Sequence, residues 1–139
     1  MAYEQNPYAI KITLIADSSL SSSNQFQFVV AGNPLTGTTS ASAVTAATQR
    51  PVGVLQNAPK LYNSGYSEAE VTVSGVTKVV AGGNISIGSV LGINASGQAV
   101  AIVPGTDTTK YILGTALTAG VSGDYVTAVI NCASASRAA

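Results

Sequence analysis

From Pro51 to Asn131 short runs of Val, Ile, Leu and Ala are separated by glycine-bearing turns, a spacing that predicts packed, turn-dense β structure. Val52-Gly53-Val54-Leu55-Gln56 reads as a strand opened by Pro51, where a missing N–H costs little, and ended by Asn57-Ala58-Pro59. Glu70-Val71-Thr72-Val73, the pair Ser74-Gly75, and Val76-Thr77-Lys78-Val79-Val80 read as a hairpin, with a short Gly turn between alternating β-branched residues. Two later segments share the order strand, Gly turn, strand. Residues 85–92 lead through Asn94-Ala95-Ser96-Gly97 into Gln98-Ala99-Val100-Ala101, and residues 111–117 lead through residues 120–124 into residues 125–130.

Upstream, Ile10, Ile12 and Leu14 alternate with Lys11 and Thr13, while Phe26, Phe28 and Val30 alternate with Gln25, Gln27 and Val29. Both runs predict half-buried strands. The polar residues 17–24 form a loop between them. Gly32-Asn33-Pro34 and Gly37 break the chain, and the Thr, Ser and Ala of residues 36–49 favour extended chain over a helix. Leu61-Tyr62-Asn63-Ser64-Gly65-Tyr66 reads as a turn between two tyrosines.

The expected architecture is all-β, a small compact barrel-like or sandwich-like domain. Residues 1–15 form an N-terminal arm with the first strand, residues 16–133 the β-rich domain, and residues 134–139 a flexible tail.

Composition turns attention from chemistry to surfaces. Charged residues make up 9% of the 139, against the ~25% of ordinary soluble domains. A chain this poor in charge is expected to lay much of its surface against sister subunits or a scaffold; the alternative is a surface solubilised by Ser, Thr, Asn and Gln. The six cations are scattered singly, so no nucleic-acid face is expected.

The chain has no histidine, so Ser-His-Asp and Cys-His catalysis within one chain is excluded, and imidazole metal sites with it. Cys132 is the sole cysteine and reads as an apolar filler at a strand end. Glu68 and Glu70 share a strand face and read as a solvated edge. Gly83 and Gly88 have the spacing of a phosphate loop, but Ser89 stands where its lysine would be. No catalytic, cofactor-binding or metal-binding residue is expected; an oxygen-only calcium site using Asp107 or Asp124 would need further ligands that a sequence does not locate.

No window reaches the ~18 apolar residues of a membrane span, and residues 1–9 lack the pattern of a secretory signal, so synthesis in the cytoplasm is expected. Among the aromatics, Tyr111 and Tyr125 are assigned to the core because they lie in strands. Tyr3 and Tyr8, in a polar arm beside Pro7, are candidates for partner contacts.

Several blocks in fixed order resemble a known family. Ala16-Asp17-Ser18-Ser19-Leu20 precedes Phe26-Gln27-Phe28-Val29-Val30; then come Pro51-Val52-Gly53-Val54-Leu55-Gln56-Asn57-Ala58-Pro59 and the run from Glu70 to Val79. Ile85-Ser86-Ile87-Gly88 and Gly123-Asp124-Tyr125-Val126 follow. Together, over more than four-fifths of the chain, they resemble the small capsid decoration, or cement, proteins of tailed bacteriophages. The order of the blocks carries the likeness, not any single motif. The chain departs from the family at Leu61-Tyr62-Asn63-Ser64-Gly65-Tyr66, where a Gly with acidic residues is common.

The resemblance implies a β-tulip type body with an extended arm, seated on the outside of an icosahedral shell, often as a homotrimer. Its partners would be the major capsid protein and sister copies, and it would stabilise the shell by bridging neighbouring capsomers after synthesis in the host bacterial cytoplasm. Contact candidates are Tyr3, Pro7, Tyr8 and Ile10 in the arm, Asp17 and Leu20 in the following loop, and the stretch 32–50. An alternative is a head-fibre or adhesin-type module for glycan or host surface, which would cluster Tyr62 and Tyr66 about a groove.

Overall fold

Alternation along β1 (Ile10–Ala16) turns Ile12, Leu14 and Ala16 to one face, and a ring of strands closes round that face. The computed structural model describes residues 9–35, 38–60 and 67–139. The ring contains β1, β2 (Phe28–Leu35), β3 (Thr38–Ala43), β4 (Gly53–Leu55) and the first half of β5 (Ser67–Val80). β1 runs parallel to β3 through Ile15↔Ser40 and Ala16↔Ala41, and the other pairings, β3–β2, β2–β4, β4–β5 and β5–β1, are antiparallel. The result is a closed five-stranded barrel. So narrow a ring leaves little room inside, and Ala16, Ala41, Ala43 and Ala69 share it with Val29, Leu55, Val71 and Leu20.

The second half of β5 leaves the ring and pairs with β10 (Tyr125–Asn131), from Val80↔Tyr125 to Ser74↔Asn131. The sheet continues through β9 (Gly114–Ala116) and β6 (Val90–Ile93) to β7 (Ala99–Ala101). Ala81, just past β5, bridges Ala99 in parallel, so this sheet curls back on its own first strand. Its concave face holds a second core in which Val79, Leu91, Ile93, Val126, Ala128 and Ile130 meet Phe28, Val30 and Val54 from the outside of the barrel.

That arrangement explains two departures from the sequence reading. Residues 28–30 were expected to alternate between core and solvent. All three are buried, because Val29 faces the barrel interior and Phe28 and Val30 face the second core. The strand also starts at Phe28 and runs through Gly32-Asn33-Pro34 to Leu35, where a break was expected.

The hairpin expected at Ser74-Gly75 is instead one strand of 14 residues. Gly75 sits at φ +129, a conformation open to a residue without Cβ, at the place where β5 passes from its pairings with β1 and β4 to its pairing with β10. Leu55 lies opposite Val71, yet its carbonyl and the N–H of Val80, nine residues further along, both bond to the backbone of Phe26.

The C-terminus also departs from expectation. β11 (Ser136–Arg137) pairs with β8 (Tyr111–Ile112), and Ala138 N donates to Lys110 O at 2.8 Å, so residues 136–138 are pinned to the body instead of frayed. Ile85 bridges Gly120, Ser89 N donates to Ser86 O at 3.0 Å to close a turn, and the strand expected there begins only at Val90. Residues 38–43 are extended, as expected, and the polar loop contains a 3-10 turn (Ser22–Asn24) capped by Ser21.

Two substitutions test this packing. A Cβ on Gly114 would run into Val129 O and Ile130 Cα across the β9–β10 pair, whereas one on Gly83 meets nothing within 4 Å. Gly114→Ala is expected to cost about 1–3 kcal/mol in urea unfolding, and Gly83→Ala no more than about 0.5 kcal/mol; equal midpoints would contradict the close approach of β9 to β10. Thr72 is buried with no partner for its Oγ1 among the described residues. Removing that hydroxyl with Thr72→Val should stabilise the fold by roughly 1 kcal/mol, and a loss of stability would show the hydroxyl to be satisfied.

Candidate interaction surface

Along β10 the inward positions are Val126, Ala128 and Ile130; of the outward positions, Tyr125 and Val129 are apolar and 57% and 43% exposed, while Thr127 between them is buried. Register places Val129 between Val76 of β5 and Thr115 of β9, and Thr115 opposite Val90 of β6, which is 41% exposed. Val76, Val129, Thr115 and Val90 thus form a row across four strands with no ionisable group in it. Leu117, also exposed, flanks the row where its N–H donates to Thr127 O at 2.8 Å. Beyond Val90 the apolar surface continues into a groove with Ile102, Pro104, Ile112 and the C-terminal alanines.

One corner of this face is aromatic. The Phe26 and Tyr125 rings meet edge to face at 5.6 Å between centroids, and Lys78 Nζ lies 5.2 Å from the Phe26 centroid. Phe26 has φ +62, a left-handed conformation that a bulky side chain adopts at a cost. The backbone holds it there: Phe26 N donates to Leu55 O at 2.7 Å and Phe26 O accepts from Val80 N at 2.9 Å. The turn takes Phe26 out of the β2 register and sets its ring against Tyr125.

The residues expected to make contacts fall in different places. Tyr3, Pro7 and Tyr8 lie outside the described residues, as do Tyr62 and Tyr66. Ile10 opens β1 and is 57% exposed, with Lys11 beside it paired to Glu70 at 3.5 Å. Asp17 is occupied structurally. Its carboxylate accepts from Ser19 N at 2.8 Å and from the hydroxyls of Ser19 and Ser42, fastening the end of β1 to β3. Leu20 is 1% exposed and packs in the barrel core, so it is not available to a partner; the polar serines around it in the sequence hid an anchor for the loop.

Tyr125 corrects the core assignment in the other direction, since it lies outward at the strand's first position. Tyr111 is partly buried against the second core, with the Arg137 guanidinium over its ring at 5.2 Å. Phe26 and the aliphatic row were missed. The signal was the string Tyr125-Val126-Thr127-Ala128-Val129-Ile130, in which one face is wholly apolar and the other apolar at Tyr125 and Val129.

Cys132 is buried, and its backbone N donates to Val73 O at 2.9 Å. Burial pushes its thiol up to about 12, against a weaker opposing pull from the Arg50 charge, so it is neutral at ordinary pH and a poor nucleophile. Among the described residues no group of His, Cys, Asp and Glu is placed to hold a metal ion, and no helix is long and apolar enough to cross a membrane.

A closed five-stranded barrel that shares one long strand with a second curled sheet defines the class of fold. No family model matches the chain, and no curated protein matches it by sequence. Among solved structures the fold is shared with the head fiber gp8.5 N base in bacteriophage phi29, at a TM-score of 0.64 and 16% identity, over 88% of this chain and 96% of that one.

The raised Cys132 pKa carries a pH dependence. The folded state holds a proton that the unfolded chain releases from about pH 9, so this contribution to stability is complete below that pH and declines as pH rises toward about 12. Cys132→Ala is expected to flatten the decline in urea midpoints above pH 9, and an identical slope in both proteins would contradict a buried neutral thiol.

Proposed function

We propose that the chain is a structural protein of a tailed-phage head that binds the outside of the icosahedral capsid and stabilises the shell by bridging neighbouring capsomers. The observation that carries this reading is the shared fold with a phage head-fibre base, matched over nearly the whole of both chains. The order of sequence blocks points to head decoration independently. The uncharged outer row of β5, β10, β9 and β6 supports it too, because exposed apolar side chains such as Val129 and Val90 suit a protein partner.

The mechanism is additive. A modest contact repeated at every lattice position raises the cost of separating capsomers, since any copy that bridges two of them must release one before they part. The partners in this reading are the major capsid protein and sister copies, with a homotrimer as the docking unit and the capsid exterior as the location. It requires no catalysis, cofactor, nucleic acid or membrane.

A second reading, a head-fibre base or adhesin module, is favoured by the name of the structural neighbour itself. The two differ in what they do to the shell. Purified protein added to shells that lack it should bind to saturation and raise the temperature at which capsomers dissociate, followed by light scattering. Saturable binding with no change in that temperature would favour the fibre base, and no binding would overturn both.

A further inference from the structure

Away from the aliphatic row, a separate opening of roughly 250 Å³ lies where β2, β4, β5 and β10 converge. Ala31, Pro51, Val73 and Ala133 supply its apolar walls, and Cys132 lines it as a buried, neutral thiol. Among the described residues Arg50 is the only charged one of the lining. Its Nη2 donates to Ala133 O at 3.2 Å, which holds the guanidinium beside the opening on one of its five donors.

Size and chemistry narrow what fits. The volume falls below the ~300 Å³ at which small-molecule pockets begin, so the opening suits one or two side chains better than a cofactor. No described lining residue is aromatic, so the described lining offers no platform for a sugar or a base, and one cation is too few for a nucleic-acid backbone. An aliphatic wall beside a guanidinium is complementary to an aliphatic group that carries a carboxylate.

We propose that this opening is a docking site for a segment of a protein partner that seats an aliphatic side chain against Val73 and Ala133 and places an adjacent carboxylate on Arg50. On the capsid reading above, which this inference extends, the segment belongs to the shell subunit. The site itself can be tested on the isolated protein, apart from any shell.

The probes are 4-methylpentanoate and its neutral analogue 4-methylpentanamide, titrated while the backbone amides are followed by NMR. The carboxylate is expected to shift the amides of Val73, Cys132 and Ala133 and to bind about fivefold more tightly than the amide. Arg50→Gln, at an exposed position, should erase that preference and leave the rest of the spectrum in place. Ala133→Phe, also exposed, should fill the opening and abolish binding of both probes. Shifts elsewhere only, equal binding of the two probes, or a preference that survives Arg50→Gln would overturn the proposal. Binding of the carboxylate as described by a protein that does not bind shells would uphold the site and reject the shell as its owner.

Discussion

β5 is the constraint on which the rest of the molecule depends. Its first half closes the barrel against β1 and β4, and its second half founds the other sheet by pairing with β10. One strand therefore supplies backbone partners to both cores, with Gly75, at positive φ, where the two sets of pairings meet. Neither sheet could shift against the other without breaking the ladder that β5 shares. The small interior of the barrel follows from the same economy, since a narrow ring with alanines on three strands can be filled without long side chains.

Low charge has a structural counterpart. With 9% charged residues the chain has few groups with which to mark an outside, and its sheets carry apolar residues on both faces. Where a second layer covers the strand, as on β2 and β4, both faces become core. Where no described residue covers them, as at Val129 of β10, Leu117 just past β9 and Val90 of β6, the outward side chains remain exposed. The same sequence habit thus produces a doubly buried strand in one place and an interaction surface in another, and topology decides between them.

This is why some features were legible in the chain and others were not. Local signals located β1, β4, β10 and the polar loop, because alternation and turn residues are properties of neighbours in sequence. The Ser74-Gly75 pair misled, since a glycine that kinks a strand and one that reverses it look alike without knowledge of what pairs beyond it. Leu20 and Tyr125 exchanged their expected places for a related reason: burial depends on whether another layer arrives, and neither periodicity nor residue type records that. The opening at Arg50 joins residues from 31 to 133, and nothing in the sequence brings them together. Of the proposed contacts, Ile10 lies exposed, whereas Asp17 and Leu20 serve the fold.

A β body held by one shared strand, with a row free of ionisable groups across four strands of its outer face, fits the proposal that it is one repeated piece of a larger surface. The most direct measurement of that claim is the copy number of this chain relative to the major shell protein in purified, salt-washed virions, by quantitative mass spectrometry. The account predicts a ratio near one to one, as expected for a protein that covers the lattice; a few copies per particle, or none, would contradict it.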